Sequence, residues 1–102
     1  MSEFISVAKV ADLKPGECKT VMAGDREVAL FNVGGKFYAT DNTCPHRGGP
    51  LGEGVLDGNV VTCPWHGWRF DVTTGISLVV PTAKVEKLEC IVEGDEVKVK
   101  TG

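Results

Sequence analysis

A chain of 102 residues with 42% hydrophobic content reads as one small globular domain. The net charge of -3 and the scattered Lys and Arg suggest no nucleic-acid surface, and no apolar run approaches the roughly twenty residues needed to span a bilayer. With no signal-peptide pattern at the N-terminus, the expectation is a soluble, cytoplasmic protein.

In chain order, Phe4 to Val10 alternates in part and suits a first strand. Asp12 to Glu17 is a turn, with Pro15 before Gly16 as a type II turn prefers. Cys18 to Met22 predicts a second strand, and Ala23-Gly24-Asp25 reverses the chain. Arg26 to Val33, rich in Val, Leu and Phe, predicts a strong strand. Gly34-Gly35 supplies a two-residue hairpin whose type I′ geometry needs positive φ twice, and Lys36 to Thr40 returns as the partner. No helical periodicity precedes Cys44. Val55-Leu56 and Val60-Val61-Thr62 flank Asp57-Gly58-Asn59 as a second hairpin. Arg69 to Asp71, the turn Thr73-Thr74-Gly75 and Ile76 to Leu78 make a further one, followed by a loop over Val79 to Thr82. Lys87 to Glu93 sets Leu88, Cys90 and Val92 on one face, Gly94-Asp95 turns, and Val97 and Val99 continue the pattern. Short strands with turns roughly every eight to twelve residues predict an all-β sandwich or barrel.

The chemistry is concentrated between Cys44 and Trp68. Both histidines of the chain and two of its four cysteines lie there, in Cys44-Pro45-His46-Arg47-Gly48 and Cys63-Pro64-Trp65-His66-Gly67-Trp68. Each arm offers one thiolate and one imidazole, the donors that hold iron–sulfur clusters and zinc. Prolines and glycines in both arms favour tight turns that let two side chains per loop converge. The intervening hairpin sets the loops side by side. The residues themselves therefore predict a metal site made of Cys44, His46, Cys63 and His66. A structural zinc site is the plainer reading, although such sites more often pair Cys with Cys and His with His. Two disulfides would need an oxidising compartment and would leave the histidines unexplained. Cys18 and Cys90 read as plain thiols, Cys90 as a small buried hydrophobe.

Cys44-x-His46, sixteen residues, then Cys63-x-x-His66 resembles the signature of Rieske 2Fe-2S proteins. The flanking run through Trp68, Arg69, Phe70 and Asp71 is similar to the soluble Rieske-type ferredoxins in particular. The resemblance implies a Rieske-type (ISP-like) fold: an antiparallel β base, sandwich or barrel, with about residues 42–80 inserted as a cluster-binding subdomain of two facing loops. It implies one 2Fe-2S cluster, with Cys44 and Cys63 on one iron and His46 and His66 on the other, the arrangement general to Rieske centres. Pro81 matches a third loop that covers the cluster, and Trp65 is a candidate for the cluster surroundings. Neutral imidazoles in place of two thiolates lower the cost of adding an electron.

Within the family, Rieske proteins of quinol-oxidising complexes carry a cysteine in each loop, joined as a disulfide. The equivalent positions here are Gly49 and Trp65. Those proteins also carry a serine hydroxyl where this chain has Trp68. Fewer hydrogen bonds to sulfur imply a potential near the low end of the range, about -150 mV.

With both histidines committed to metal, none remains for a mononuclear iron or for general-base catalysis. The implied role is therefore one-electron transfer rather than catalysis. The resemblance suggests a monomeric carrier that takes electrons from a flavin-dependent ferredoxin reductase and delivers them to a terminal oxygenase of the aromatic-ring dioxygenase type. The small subunit of an assimilatory nitrite reductase is the alternative on the same fold, and a zinc-stapled interaction module is the alternative from another class.

Overall fold

The computed structural model describes residues 4–43, 49–65, 67–80 and 82–100. The architecture is all-β and antiparallel, with nine strands among the described residues: β1 (Phe4–Lys9), β2 (Cys18–Ala23), β3 (Arg26–Val33), β4 (Lys36–Asp41), β5 (Val55–Asp57), β6 (Val60–Thr62), β7 (Arg69–Asp71), β8 (Lys87–Glu93) and β9 (Glu96–Lys100). Six of them form one sheet in the order β1-β9-β8-β4-β3-β2, and β5-β6-β7 form a second. β1 returns alongside β2, so the larger sheet curls nearly into a barrel. β1 also pairs with β9, Phe4 opposite Lys100, so both ends of the described chain belong to the base. Among the described residues no helix is long and apolar enough to cross a membrane.

β3 shows how the sequence makes two cores from one strand. Side chains alternate across a sheet. Val28 and Leu30 therefore face the inside of the curled sheet, where they join Val21, Phe37, Val97 and Val99. Ala29 and Phe31 face the other way, against Leu51, Val61 and Phe70 of the smaller sheet and its approach. All four of these β3 residues are fully buried. The continuous apolar run Val28-Ala29-Leu30-Phe31 is that of a strand covered on both faces. Burying a side chain such as Phe31 contributes about 1.5–3 kcal/mol relative to leaving it exposed.

The turns follow their residue chemistry. Glu17 N–H donates to Lys14 O at 3.0 Å around Pro15-Gly16, with Gly16 at φ +88, as a type II turn requires. Gly34 and Gly35 both take positive φ, 60 and 97, and close the β3–β4 hairpin.

Two features depart from the sequence-based expectation. Val10–Asp12 and Leu51–Glu53 are short 3-10 turns, each too brief to leave a periodic signature. Ile76 to Leu78 does return antiparallel to β7, but only as a single bridge, Ser77 to Phe70, flanked by Asp71 N–H to Ile76 O at 3.0 Å and Leu78 N–H to Arg69 O at 2.9 Å, while Ile76 also bridges to Lys84. The pairing stops after Leu78 because the Ser77 hydroxyl accepts the amides of Val79 and Val80, both at 3.1 Å, and turns the chain there.

Candidate metal centre

Three short segments converge at one end of the smaller sheet. The first leaves β4 at Asn42 and returns at Leu51, with Thr43 bridged to Pro50. Leu51 N–H donates to Asn42 O at 2.8 Å, which closes the neck of this arm. The second arm follows β6. Its neck is closed by the Cys63 amide, which donates to Trp68 O at 2.7 Å, and Gly67 at φ +72 supplies the conformation the tight loop needs. The third segment, 77–80, lies beside the second because Leu78 N–H donates to Arg69 O at 2.9 Å.

Of the four expected ligands, Cys63 is described. Its residue is 1% exposed, on the face of the second core. Cys44, His46, His66 and the third-loop Pro81 lie outside the described residues. Cys63 sits in a cradle that a side chain would fill: a Cβ placed on Gly49 would stand 2.9 Å from Cys63 Sγ and 2.9 Å from Trp65 Cγ. Space rather than backbone angle favours glycine at 49, because an added Cβ would stand closer to Cys63 Sγ and Trp65 Cγ than real Cβ contacts, and a neighbour would have to move. A buried thiol packed closely against Gly49 where the two arms meet is a soft donor suited to an iron–sulfur cluster. The cradle also brings Gly49 and Trp65 face to face.

The two tryptophans separate. Trp65 is 50% exposed at the tip. Trp68 packs against the second core, its ring 6.5 Å from that of Phe70, so its first task is packing. Exposed Leu78 and Val79 lie on the third segment.

The remaining thiols lie on other elements and form no disulfide. Burial pushes Cys90 up to about 11. Burial, then the neighbouring Glu17 charge, raises Cys18, whose Sγ donates to Gly54 O at 3.4 Å. Both are therefore protonated, inert groups at neutral pH. Asp71 begins the turn before the third segment. Burial alone would raise its carboxyl, but hydrogen bonds from the Thr73 hydroxyl at 2.6 Å, the Thr73 amide at 2.9 Å and Asn59 at 3.2 Å outweigh it. With the Lys87 charge they hold Asp71 below its ordinary value.

Sequence reasoning missed Asn42 and Ser77, which shape the first arm and the third segment. Both are buried polar residues, each 2% exposed. A usable signal was present for Asn42: an amide side chain between the end of a strand and a candidate ligand.

Comparison with known proteins gives a consistent result. The model of the Rieske [2Fe-2S] domain matches residues 3–94. Ferredoxin CarAc of Metapseudomonas resinovorans is 40% identical over 79 residues, 76% of this chain and 74% of that protein. The ferredoxin component of the naphthalene 1,2-dioxygenase system of Pseudomonas putida is 33% identical over 99 residues, covering 89% of this chain and 95% of its own length. A solved complex of reduced oxygenase and oxidised ferredoxin in carbazole 1,9a-dioxygenase contains a chain that superposes with a TM-score of 0.86 at 38% identity, covering 94% of this chain and 91% of that one.

Proposed function

Because the chain belongs to the Rieske 2Fe-2S domain family, we propose that it is a soluble, low-potential ferredoxin passing single electrons from a flavin-dependent reductase to a terminal oxygenase. In this reading the chain is one Rieske domain, with about residues 42–80 as the cluster-holding part, working as a monomer in the cytoplasm. Cys44 and Cys63 would hold one iron, and His46 and His66 the other. When bound, a 2Fe-2S cluster supplies reversible one-electron chemistry.

The observation that carries the reading is buried Cys63 in its glycine cradle, where the first arm meets the second. The chain's own residues set the terms of transfer. Gly49 leaves room at the Cys63 sulfur, and Trp65 covers that side from solvent. Trp68 turns its ring into the core and carries no hydroxyl to donate to a sulfide, which favours a low potential. Exposed Trp65, Leu78 and Val79 give the tip an apolar face for brief docking. The relative that is the ferredoxin component of a naphthalene 1,2-dioxygenase system, and the similar ferredoxin solved in complex with its oxygenase, support an oxygenase as acceptor.

A potentiometric titration of the purified holoprotein, followed by electron paramagnetic resonance, tests this. A rhombic signal with average g below the free-electron value, developing near about -150 mV, is expected. A colourless, redox-silent protein containing zinc would overturn it.

A further inference from the structure

Asn42 lies two residues ahead of Cys44 and is 2% exposed. Its polar atoms gather four partners from three directions. The main-chain oxygen accepts Leu51 N–H at 2.8 Å. Oδ1 accepts Gly52 N–H at 2.9 Å and the Thr20 hydroxyl of β2 at 3.1 Å, and Nδ2 donates to Glu27 Oε1 of β3 at 3.2 Å. One side chain thus ties the departing and returning ends of the first arm to two strands of the base. The clasp has no slack, since a Cβ on Gly52 would stand 2.5 Å from Thr20 N.

We infer that Asn42 is a positioning residue for the cluster: it fixes the neck of the arm that carries Cys44 and His46, and so sets that arm's place opposite Cys63. The inference rests on the ligand reading above. Its physical basis is that groups orienting metal ligands contribute to metal retention even when they never touch the metal. The orientation of the amide is dictated by its neighbours. Two donors face Oδ1, and a carboxylate faces Nδ2. An aspartate would keep both bonds to Oδ1 but turn its second oxygen toward the Glu27 carboxylate.

The test uses reconstituted holoprotein. Cluster loss is followed as bleaching of visible absorbance at fixed temperature, and the reduced protein is examined by electron paramagnetic resonance. The variants are N42A, N42D, E27Q with N42D, and V97A, which removes a fully buried side chain from the base core. N42A should lose its cluster about ten- to a hundredfold faster than wild type, with a broadened signal. N42D should also lose it faster, and adding E27Q should restore retention, because an amide at 27 can donate to the new carboxylate. V97A should lower the melting temperature while keeping the wild-type signal and loss rate well below melting.

Loss from N42A within about twofold of wild type would overturn the inference. So would equal loss from V97A at the same distance below its own melting point. If N42A cannot be obtained folded, N42D against its E27Q partner decides, and no rescue overturns the inference. A wild-type protein without the rhombic signal would refute the ligand reading and the inference with it. A normal wild type with an unaffected N42A refutes the inference alone.

Discussion

Gly49→Ala is the smallest change that probes the centre. The added methyl would stand 2.9 Å from Cys63 Sγ, 2.9 Å from Trp65 Cγ and 3.0 Å from Trp65 Cβ, so something must move. The two neighbours differ in freedom: Trp65 is 50% exposed and can swing toward solvent, whereas Cys63, at 1%, is held in the core and by the hydrogen bond its amide donates to Trp68 O. Overpacking of this kind costs about 1–3 kcal/mol. For a domain of this size each kcal/mol lowers Tm by roughly 4–8 °C. Thermal unfolding of the holoprotein, followed by circular dichroism and by visible absorbance, should show that drop, with the visible bands shifted before the fold melts. Combining Gly49→Ala with Trp65→Ala removes the ring atom but leaves the contacts to the sulfur and to the Cβ at 65, so only part of the loss should return. A Gly49→Ala protein with wild-type Tm and an unshifted visible spectrum would refute the claim that the cradle is full.

Trp65→Ala should weaken binding to the terminal oxygenase by about thirtyfold, or ~2 kcal/mol, as loss of an aromatic anchor does; calorimetry showing an unchanged Kd would remove Trp65 from the docking face. Cys90, raised from 9.0 to about 11 by burial, is protonated in the folded state where the unfolded thiol ionises. Its contribution is present below about pH 9 and lost as pH rises toward 11, so stability should fall across that window, and Cys90→Val should flatten the fall. Equal slopes in the two proteins would count against it. Asp71, held below its ordinary value, has the opposite sign: its contribution is present above the usual carboxylate range and lost as pH falls through the folded value. Asp71→Asn should therefore cost about 1 kcal/mol at pH 7 in urea denaturation, with the difference shrinking in acid; a constant difference down to pH 2 would argue for packing instead.

Legibility in the sequence followed the range of the interactions. Arg26–Val33 and Lys87–Glu93 were read with their observed limits because apolar runs and turn glycines are local signals. The type II turn at Pro15-Gly16 was legible for the same reason. Ile76 to Leu78 does pair back onto β7, but its shortness was not legible, because one buried hydroxyl at Ser77 turns the chain after Leu78. The Asn42 clasp joins Thr20, Glu27 and Gly52, residues scattered along the chain, so no window of sequence contains it. At the centre itself, spacing and residue type led to the proposed ligands, while the steric demand at Gly49 emerged only with Gly49, Cys63 and Trp65 in place.

The pairing of Phe4 with Lys100 has a consequence for how this domain can be used. Directly opposed residues of an antiparallel pair stand only about 4.5–5.5 Å apart. A linker of a few residues could therefore join Phe4 to Lys100, and new termini could be opened at the tight Gly34-Gly35 turn. A circular permutant of this design leaves both arm necks uncut. The same geometry lets the whole domain be spliced into a loop of a host protein, entering and leaving through one narrow doorway.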